Sequence, residues 1–450
     1  MTRIACREKM YVYAVNIRFV AVVDERWWMM RHGTLVPGSG RPVGDADWPG
    51  TPPRVASAAE LPPSPSLPRV KVLHVITRLE AGAGGNTLLS AQGMDPARYE
   101  VWIAGVPGGP LWGRARAAGL RTVEIPGFRH TLTPADLAVL WRLTRLIRRE
   151  RFTIVHTHSA KGGFLGRVAA RLCRTPVVVH TFHGVSFHPY QSRGRRLVYR
   201  RLERATRRFT HRFLAVAPRL AEQVVEERLA PPGAVRVVPS AVDLAHIPER
   251  FDPLARRVLG TPRTTALVGT VGRLDHQKAP LDFVRMAAAL RAERPDTAFV
   301  MIGEGPLEGD VRRLAAELGV DLTLTGHRTD AAWLVAGLDV FVITSLYEGL
   351  GRALTEALAT ARPVVATAVN GVPDLVEHGA TGLLVPPADP DGAARAVRWL
   401  LDHPHQAADM GRQGRRRARR GFTPQAMCAA VDACYRELLG LPPPAPAPAH

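Results

Sequence analysis

Short apolar runs rich in Val and Ile alternate along most of the chain with amphipathic stretches about 10–18 residues long, the rhythm of buried strands separated by helices. The first series of runs is Val70–Ile76, Glu100–Val106, Arg121–Ile125, Thr153–Thr157, Pro176–Thr181, Arg212–Val216 and Arg236–Val238. The second is Thr265–Val271, Thr297–Ile302, Asp321–Thr325, Val340–Thr344, Pro363–Thr367 and Gly382–Val385. Strands that are apolar throughout need cover on both faces, which predicts parallel sheets with helices on either side. Two series predict an α/β chain of two doubly wound, Rossmann-like domains. The seam falls near Ala245–Pro262, where Pro248, Pro253 and Pro262 punctuate the chain. Ligands of such sheets bind beyond the carboxyl ends of the strands, and every motif below follows a predicted strand.

Both ends depart from the rhythm. Residues 37–68 are crowded with Pro, Gly and Ser. Such a composition buries too little apolar surface to offset its ordering entropy, so residues 1–68 read as an extension ending in a disordered linker. The Pro/Ala tail Leu441–His450 is expected to be extended. The apolar run Met10–Val23 is broken by Asn16 and Arg18 and meets Asp24 and Glu25. It falls short of the roughly 20 residues of a membrane helix, and without a small-residue cleavage site it does not read as a secretory signal.

Composition narrows the picture a little. Of 450 residues, 46% are hydrophobic and 22% charged, which excludes a wholly disordered or fibrous chain. Cys6, Cys173, Cys428 and Cys434 form no Cys-x-x-Cys pair, so neither a zinc cluster nor a disulfide framework is expected. The formal net charge of +20 invites nucleic acid, anionic lipid or a phosphorylated substrate. Only Lys9, Lys71, Lys161 and Lys278 are lysines among 60 basic residues, however. With abundant Ala and Pro this looks like the imprint of a GC-rich genome, and part of the charge is a solvated surface.

The sharpest chemistry follows the strand Val340–Thr344, in Ser345-Leu-Tyr-Glu348-Gly-Leu-Gly351-Arg352-Ala353-Leu-Thr-Glu356. Glu348 is placed in the loop and Glu356 in the second turn of the next helix, behind the free amides of Gly351, Arg352 and Ala353. Free amides and the positive helix end suit phosphate oxygens, and a carboxylate one turn in suits ribose hydroxyls. A second constellation, Gly272-Arg273-Leu-Asp-His-Gln-Lys278, follows the first strand of the second series. Arg offers a planar fork for phosphate oxygens and Lys a compact charge. Lys278 is expected to open a helix, where the dipole repels a cation unless an anion is bound.

In the first half, Gly82, Gly84 and Gly85 form a glycine loop after Val70–Ile76, without dinucleotide spacing. His156-Thr-His158-Ser-Ala-Lys161 and His180-Thr-Phe-His183-Gly184 follow two further strands. His-x-His on a strand shares one face and permits a metal pair, but no acidic or cysteine ligand is near, and no metal is expected. His156 and His180 read as structural, and His183 as a cleft residue. Gly303-Glu304-Gly305-Pro306 and Gly326-His-Arg328 read as turns, the latter with backbone able to edge a nucleobase.

Together these residues resemble the retaining glycosyltransferases of family 4, which have the two-domain GT-B fold. The resemblance runs from about Val70 to Leu439. It implies an acceptor-side domain over 69–245, a nucleotide-sugar domain over 246–422 and a helix over 423–440 crossing back to the first domain. It implies a hexose or N-acetylhexosamine donor, with UDP the common nucleotide and GDP open, and neither metal nor bound cofactor. Arg273 and Lys278 would hold the diphosphate and Glu356 the ribose. Glu348 would lie near the donor sugar, and His183 would touch the sugar or the transferred bond. Gly351, Arg352, Ala353 and Arg328 are placed on the donor side, and Gly82, Gly84 and Gly85 along the diphosphate. The phrase containing His158 and Lys161 looks like the subset that builds bacterial surface polysaccharides on lipid carriers, which puts both on the acceptor side. Anomeric configuration would be retained by front-face displacement, since no residue reads as a covalent nucleophile. Ser240-Ala241 stands where Asn-Gly is usual, Ala361 where Gly is common, and Arg352 where the family often has an apolar residue.

Arg193–Arg212 holds nine arginines and one acid, Glu203. Val198, Leu202, Ala205 and Phe209 fall on one helical face, which predicts a packed helix whose basic side lies on anionic lipid. The expected location is therefore cytoplasmic, peripheral on the inner face of the membrane. Three other readings compete. A nucleotide-sugar epimerase or phosphorylase can share the fold. A nucleic-acid-binding protein fits the charge, although aromatics are 6% and scattered, with no stacking platform. A non-catalytic scaffold is disfavoured by the intact Arg273, Lys278, Glu348 and Glu356.

Overall fold

The computed structural model describes residues 69–128, 133–245, 247–262 and 264–442. The extension over residues 1–68 and the tail beyond residue 442 lie outside the described residues. Every predicted strand forms, with its ends within one residue of the expected ones. The first sheet contains β1 (Val70–Val75), β2 (Tyr99–Gly105), β3 (Arg121–Glu124), β4 (Ile154–His158), β5 (Val177–Phe182), β6 (Arg212–Ala215) and β7 (Val235–Val237), in the order β3-β2-β1-β4-β5-β6-β7. The second contains β8 (Ala266–Val271), β9 (Thr297–Ile302), β10 (Leu322–Leu324), β11 (Val340–Ile343), β12 (Val364–Thr367) and β13 (Leu383–Val385), in the order β10-β9-β8-β11-β12-β13. All pairings between these strands are parallel. This is the expected two-domain α/β architecture of the GT-B type.

Burial follows sheet position. Central β4 and β5 are buried at every residue, whereas edge strands β3, β7 and β10 are short and carry exposed positions. On β1 the two faces separate by alternation: Val72 and Ile76 join one core, Leu73 and Val75 another. A third cluster runs from Phe182, Phe213 and Ala215 of the first sheet to Leu267 and Phe341 of the second.

The helix Pro424–Leu438 starts at Thr423, whose hydroxyl accepts from the Ala426 amide at 3.2 Å, with Pro424 in the first turn. Met427, Val431, Cys434 and Tyr435 form its buried stripe and pack with Val72, Ile103 and Ile154 of the first sheet. Gly93 lets the helix come close, since a Cβ there would meet Cys428. The carboxy-terminal helix therefore docks on the first sheet, after the chain has completed the second.

The basic helix Arg193–Thr206 differs from its prediction. Its fully buried positions are Glu203 and Thr206, and Val198, Leu202 and Ala205 are only half-buried. Glu203 is no solvated acid. It pairs with the wholly buried Arg167 at 2.5 Å and accepts from Ser186 at 2.8 Å. A buried Arg needs a carboxylate partner, and that requirement turns the helix.

Candidate functional site

Beyond the carboxyl ends of neighbouring β8 and β11, two loops face each other. In the first, Leu274 is buried as an anchor, with its amide on the Glu304 carbonyl at 3.0 Å. Asp275 accepts from Arg273 Nε at 2.7 Å and from Arg273 Nη2, and its other oxygen accepts the Lys278 amide at 3.2 Å. The helix begins at Pro280. Lys278 therefore precedes the helix rather than opening it, because Ala279 takes a left-handed turn with φ of 45°. The Thr344 hydroxyl at the end of β11 donates to the Lys278 carbonyl at 3.0 Å. The aliphatic stem of Lys278 lies along Gly272, within van der Waals reach of where a Cβ would start.

Lys278 Nζ reaches Glu348 Oε1 at 2.5 Å, and Ser345 Oγ donates to the same oxygen at 2.7 Å. The Glu348 side chain is 6% exposed and that of Lys278 23%. The Glu348 amide donates to Asn370 Oδ1 at 3.0 Å. Arg273, at 63% side-chain exposure, is the open cation of the pair. After Gly351, whose φ of 94° favours glycine, the helix Arg352–Ala359 begins. Arg352 Nε donates to Glu356 Oε1 at 2.9 Å, so the carboxylate expected to meet a ribose is held by its own helix neighbour. Ala353 is half-buried in the same first turn.

Arg352 also touches the other domain. Its guanidinium lies against Gly85, and its Cβ is 4.0 Å from where a Gly82 side chain would start. The glycine segment is not a loop, contrary to expectation. Gly82, Gly84 and Gly85 form the first turns of the helix Ala81–Gln92. Close packing explains glycine inside a helix here: a Cβ on Gly84 would lie 2.7 Å from the Leu79 carbonyl carbon.

The amino-terminal side is built from histidines. His74 of β1 is in register with His156 of β4, and His158 ends β4. His183 Nε2 lies 3.1 Å from His158 Nδ1, and His158 Nε2 lies 2.9 Å from His74 Nδ1. His156 bonds Tyr435 of the docked helix at 2.6 Å and Thr181 at 2.7 Å, while His180 bonds Thr157 at 2.9 Å. Both are structural, as expected. Desolvation by burial lowers all five: His74 to about 3, His183 to about 4, and His156, His158 and His180 well below the ordinary value. His183 is half-exposed and its carbonyl packs on Gly349, next to Glu348.

Two acceptor-side expectations fail. His158 is 2% exposed, behind His183, and cannot touch an acceptor. Lys161 is 4% exposed and paired with Asp136 at 2.5 Å. A cation on the inner side of a helix needs a buried carboxylate, and Asp136 opens the preceding helix, Asp136–Glu150. Arg328 is paired within its own loop. It follows edge strand β10 and is bound by Asp330 through Nε and Nη2, at 2.8 and 2.7 Å.

Sequence reasoning missed an aromatic contact across the gap. His188, after His183, stacks on Tyr347 with ring centroids 4.0 Å apart, and Tyr190 meets His276 edge-on at 5.3 Å. It also missed Asn370, whose Nδ2 donates to Gln223 of the first domain at 3.3 Å. The Asn370-Gly371 pair after β12 was the available signal for the second. The third ring, His74, was visible only as a polar residue inside an apolar strand. His74, His156 and His158 offer nitrogens within 4.8 Å of one another, a span compatible with a metal. Both His156 nitrogens and both His158 nitrogens are already hydrogen-bonded, however, and of the trio only His74 Nε2 lacks a partner.

Comparison with known proteins agrees with this geometry. The family described as Glycosyltransferase Family 4 matches residues 82–246, and that described as Glycosyl transferases group 1 matches residues 252–417. A UDP-Gal:alpha-D-GlcNAc-diphosphoundecaprenol alpha-1,3-galactosyltransferase of Escherichia coli is 32% identical over 74% of this chain and 88% of its own. A D-inositol 3-phosphate glycosyltransferase of Arthrobacter is 32% identical over 64% of this chain and 70% of its own. The crystal structure of Anabaena HepE with UDP-glucose superposes with a TM-score of 0.72 at 17% identity, covering 82% of this chain and 100% of its own. With the motif residues of the two halves meeting at one cleft, the chain belongs to the family 4 glycosyltransferases of GT-B fold, enzymes that act on nucleotide sugars.

Proposed function

We propose that this enzyme moves a hexose or N-acetylhexosamine from a UDP-sugar to a lipid-linked or polysaccharide acceptor in cell-surface glycan synthesis, with retention of configuration. The observation that carries the reading is the junction of Lys278, Glu348 and Gly349 with His183, because it brings cation, carboxylate and imidazole to one gap. UDP is supported by the E. coli galactosyltransferase, which is named for UDP-Gal, and by the HepE complex with UDP-glucose, and the lipid carrier by the E. coli enzyme.

Arg273 and Lys278 stabilise the charge that grows on the departing diphosphate, where fixed cations act most strongly. Glu356, freed from Arg352, takes the ribose, and Arg352 turns to the diphosphate beside Gly85. Gly351 and Ala353 contribute the helix start. Glu348 orients the sugar. The acceptor hydroxyl attacks the anomeric carbon on the face from which the diphosphate leaves. The new C–O bond forms as the old one breaks, and the hydroxyl proton passes to the departing phosphate oxygen. The domains are assigned as 69–245, 246–422 and 423–440.

Membrane contact through Arg193–Arg212 belongs to the same proposal. Arg193, Arg195, Arg201, Arg207 and Arg208 are exposed, whereas Arg200 and Arg204 are engaged by Glu227. Each free cation near anionic lipid is worth about 1 kcal/mol. Leu137 and Trp141, each 60% exposed on the helix Asp136–Glu150, offer separate apolar anchors. Among the described residues no helix is long and apolar enough to cross a membrane. The test is a thermal-shift screen of UDP-, GDP- and ADP-sugars followed by product analysis with a lipid-diphosphate sugar acceptor. A UDP-sugar should raise the melting temperature and yield UDP with retained anomeric configuration. Stabilisation by none of them would overturn the reading.

A further inference from the structure

The ladder of rings behind His183 leaves one nitrogen over, and that nitrogen sets the direction of the ladder. The two links, His74 Nδ1 to His158 Nε2 at 2.9 Å and His158 Nδ1 to His183 Nε2 at 3.1 Å, each require one N–H and one lone pair. Burial keeps the three rings neutral near pH 7. A neutral ring carries one N–H, so both links must run the same way. Either His74 donates to His158 and His158 donates to His183, or both are reversed.

The ends are not equivalent. His74 Nε2 is buried and has no hydrogen-bond partner. In the reversed direction it would carry a stranded N–H. In the forward direction it is a bare, buried lone pair, on the side of β1 that carries Val72 and Ile76. A stranded buried donor is the rarer and more costly arrangement. His156 imposes no direction, because its partners are the hydroxyls of Tyr435 and Thr181, which can donate or accept. In the forward direction His183 accepts at Nε2, so its proton sits on Nδ1.

We infer that His74 and His158 are positioning residues that hold His183 as an Nδ1–H donor at the interdomain gap. The oxygen it would serve, on the donor sugar or the leaving phosphate, rests on the glycosyl-transfer reading; the direction of the ladder does not. The same logic explains why a residue read as an acceptor contact is wholly buried: His158 passes on an orientation and touches no substrate. Metal binding by His74, His156 and His158 is the rival. It would take lone pairs from nitrogens that now hydrogen-bond.

The test is long-range proton–nitrogen NMR of the full chain labelled with ¹⁵N-histidine, at pH 7, with variants used for assignment. His183 should appear protonated at Nδ1 and bare at Nε2, and His74→Leu should remove that preference. A wild-type His183 protonated at Nε2, a tautomer unmoved by H74L, or one tightly bound zinc per chain would each overturn the inference. In sugar transfer, H74L should lower kcat about tenfold with donor KM unchanged. His74→Asn, whose amide nitrogen takes the place of Nδ1, should restore most of it. Equal losses in H74L and H74N would contradict a positioning role. If the wild-type protein transferred no sugar from any nucleotide donor, the proposed function would fail and the NMR result would still decide the ladder.

Discussion

On the carboxy-terminal side of the cleft the site groups are charged and paired with one another, the cations more open to solvent than the carboxylates: Lys278 with Glu348, Arg273 with Asp275, Arg352 with Glu356. On the amino-terminal side they are imidazoles, kept neutral by burial and linked ring to ring. The two sides solve different problems. A departing diphosphate needs fixed positive charge, which costs little where each cation already has a local carboxylate to hold it in place. A sugar hydroxyl or anomeric centre needs oriented dipoles, and neutral rings in a packed sheet face supply them without a charge to desolvate.

Substitutions that leave one side intact sharpen this contrast. The largest effect is expected from Lys278→Ala, which removes the cation and strands the nearly buried Glu348. Loss of about a thousandfold in kcat/KM is expected from steady-state transfer assays. Acid should act mainly on the other side. The histidines have folded-state values below their unfolded one, so the unfolded chain takes up protons first as pH falls. Stability present above about pH 6.5 is then lost toward about pH 4 and below, by roughly 1.4 kcal/mol per pH unit for each ring kept neutral. Thermal melts between pH 7.5 and 5 should show this slope, and H74L should flatten it.

Smaller changes probe the seams. If Glu356 holds the nucleotide as proposed, Glu356→Gln should weaken UDP binding about tenfold by calorimetry. Tyr347→Ala removes the stack with His188 that spans the gap. A pair of this kind is worth about 0.5–1.5 kcal/mol, so donor KM should rise by about three- to tenfold while the melting temperature barely moves. The smallest effect on chemistry is expected from R195E/R201E: full activity on a soluble acceptor, with weaker sedimentation on anionic liposomes at low salt.

The contrast also explains what the sequence revealed. All the strands were legible, because buried parallel strands are apolar throughout and their neighbours are not. The charged half of the site was legible too. Arg273, Lys278, Glu348 and Glu356 lie within two short segments whose spacing survives folding. The histidine half was legible only in part: His183 was read as a cleft residue and His156 and His180 as structural, but the links behind His183 were not. His74 and His158 are 84 residues apart, and nothing local says that β1 and β4 are neighbours in register. The same blindness misplaced Lys161, whose partner Asp136 lies on another helix, and hid the pairing of Glu203 with Arg167. The glycines at 82–85 were read as a loop because sequence alone cannot show what packs against a missing Cβ.

The central claim is that positive groups of the second domain hold the nucleoside diphosphate. Calorimetric titration of UDP and of GDP into the wild-type protein and into R273A/K278A tests it most directly. The account predicts binding of one of the two to the wild type and at least a hundredfold loss in the double variant, about 2.7 kcal/mol, with the fold intact by circular dichroism. Equal affinity in the two proteins would contradict it.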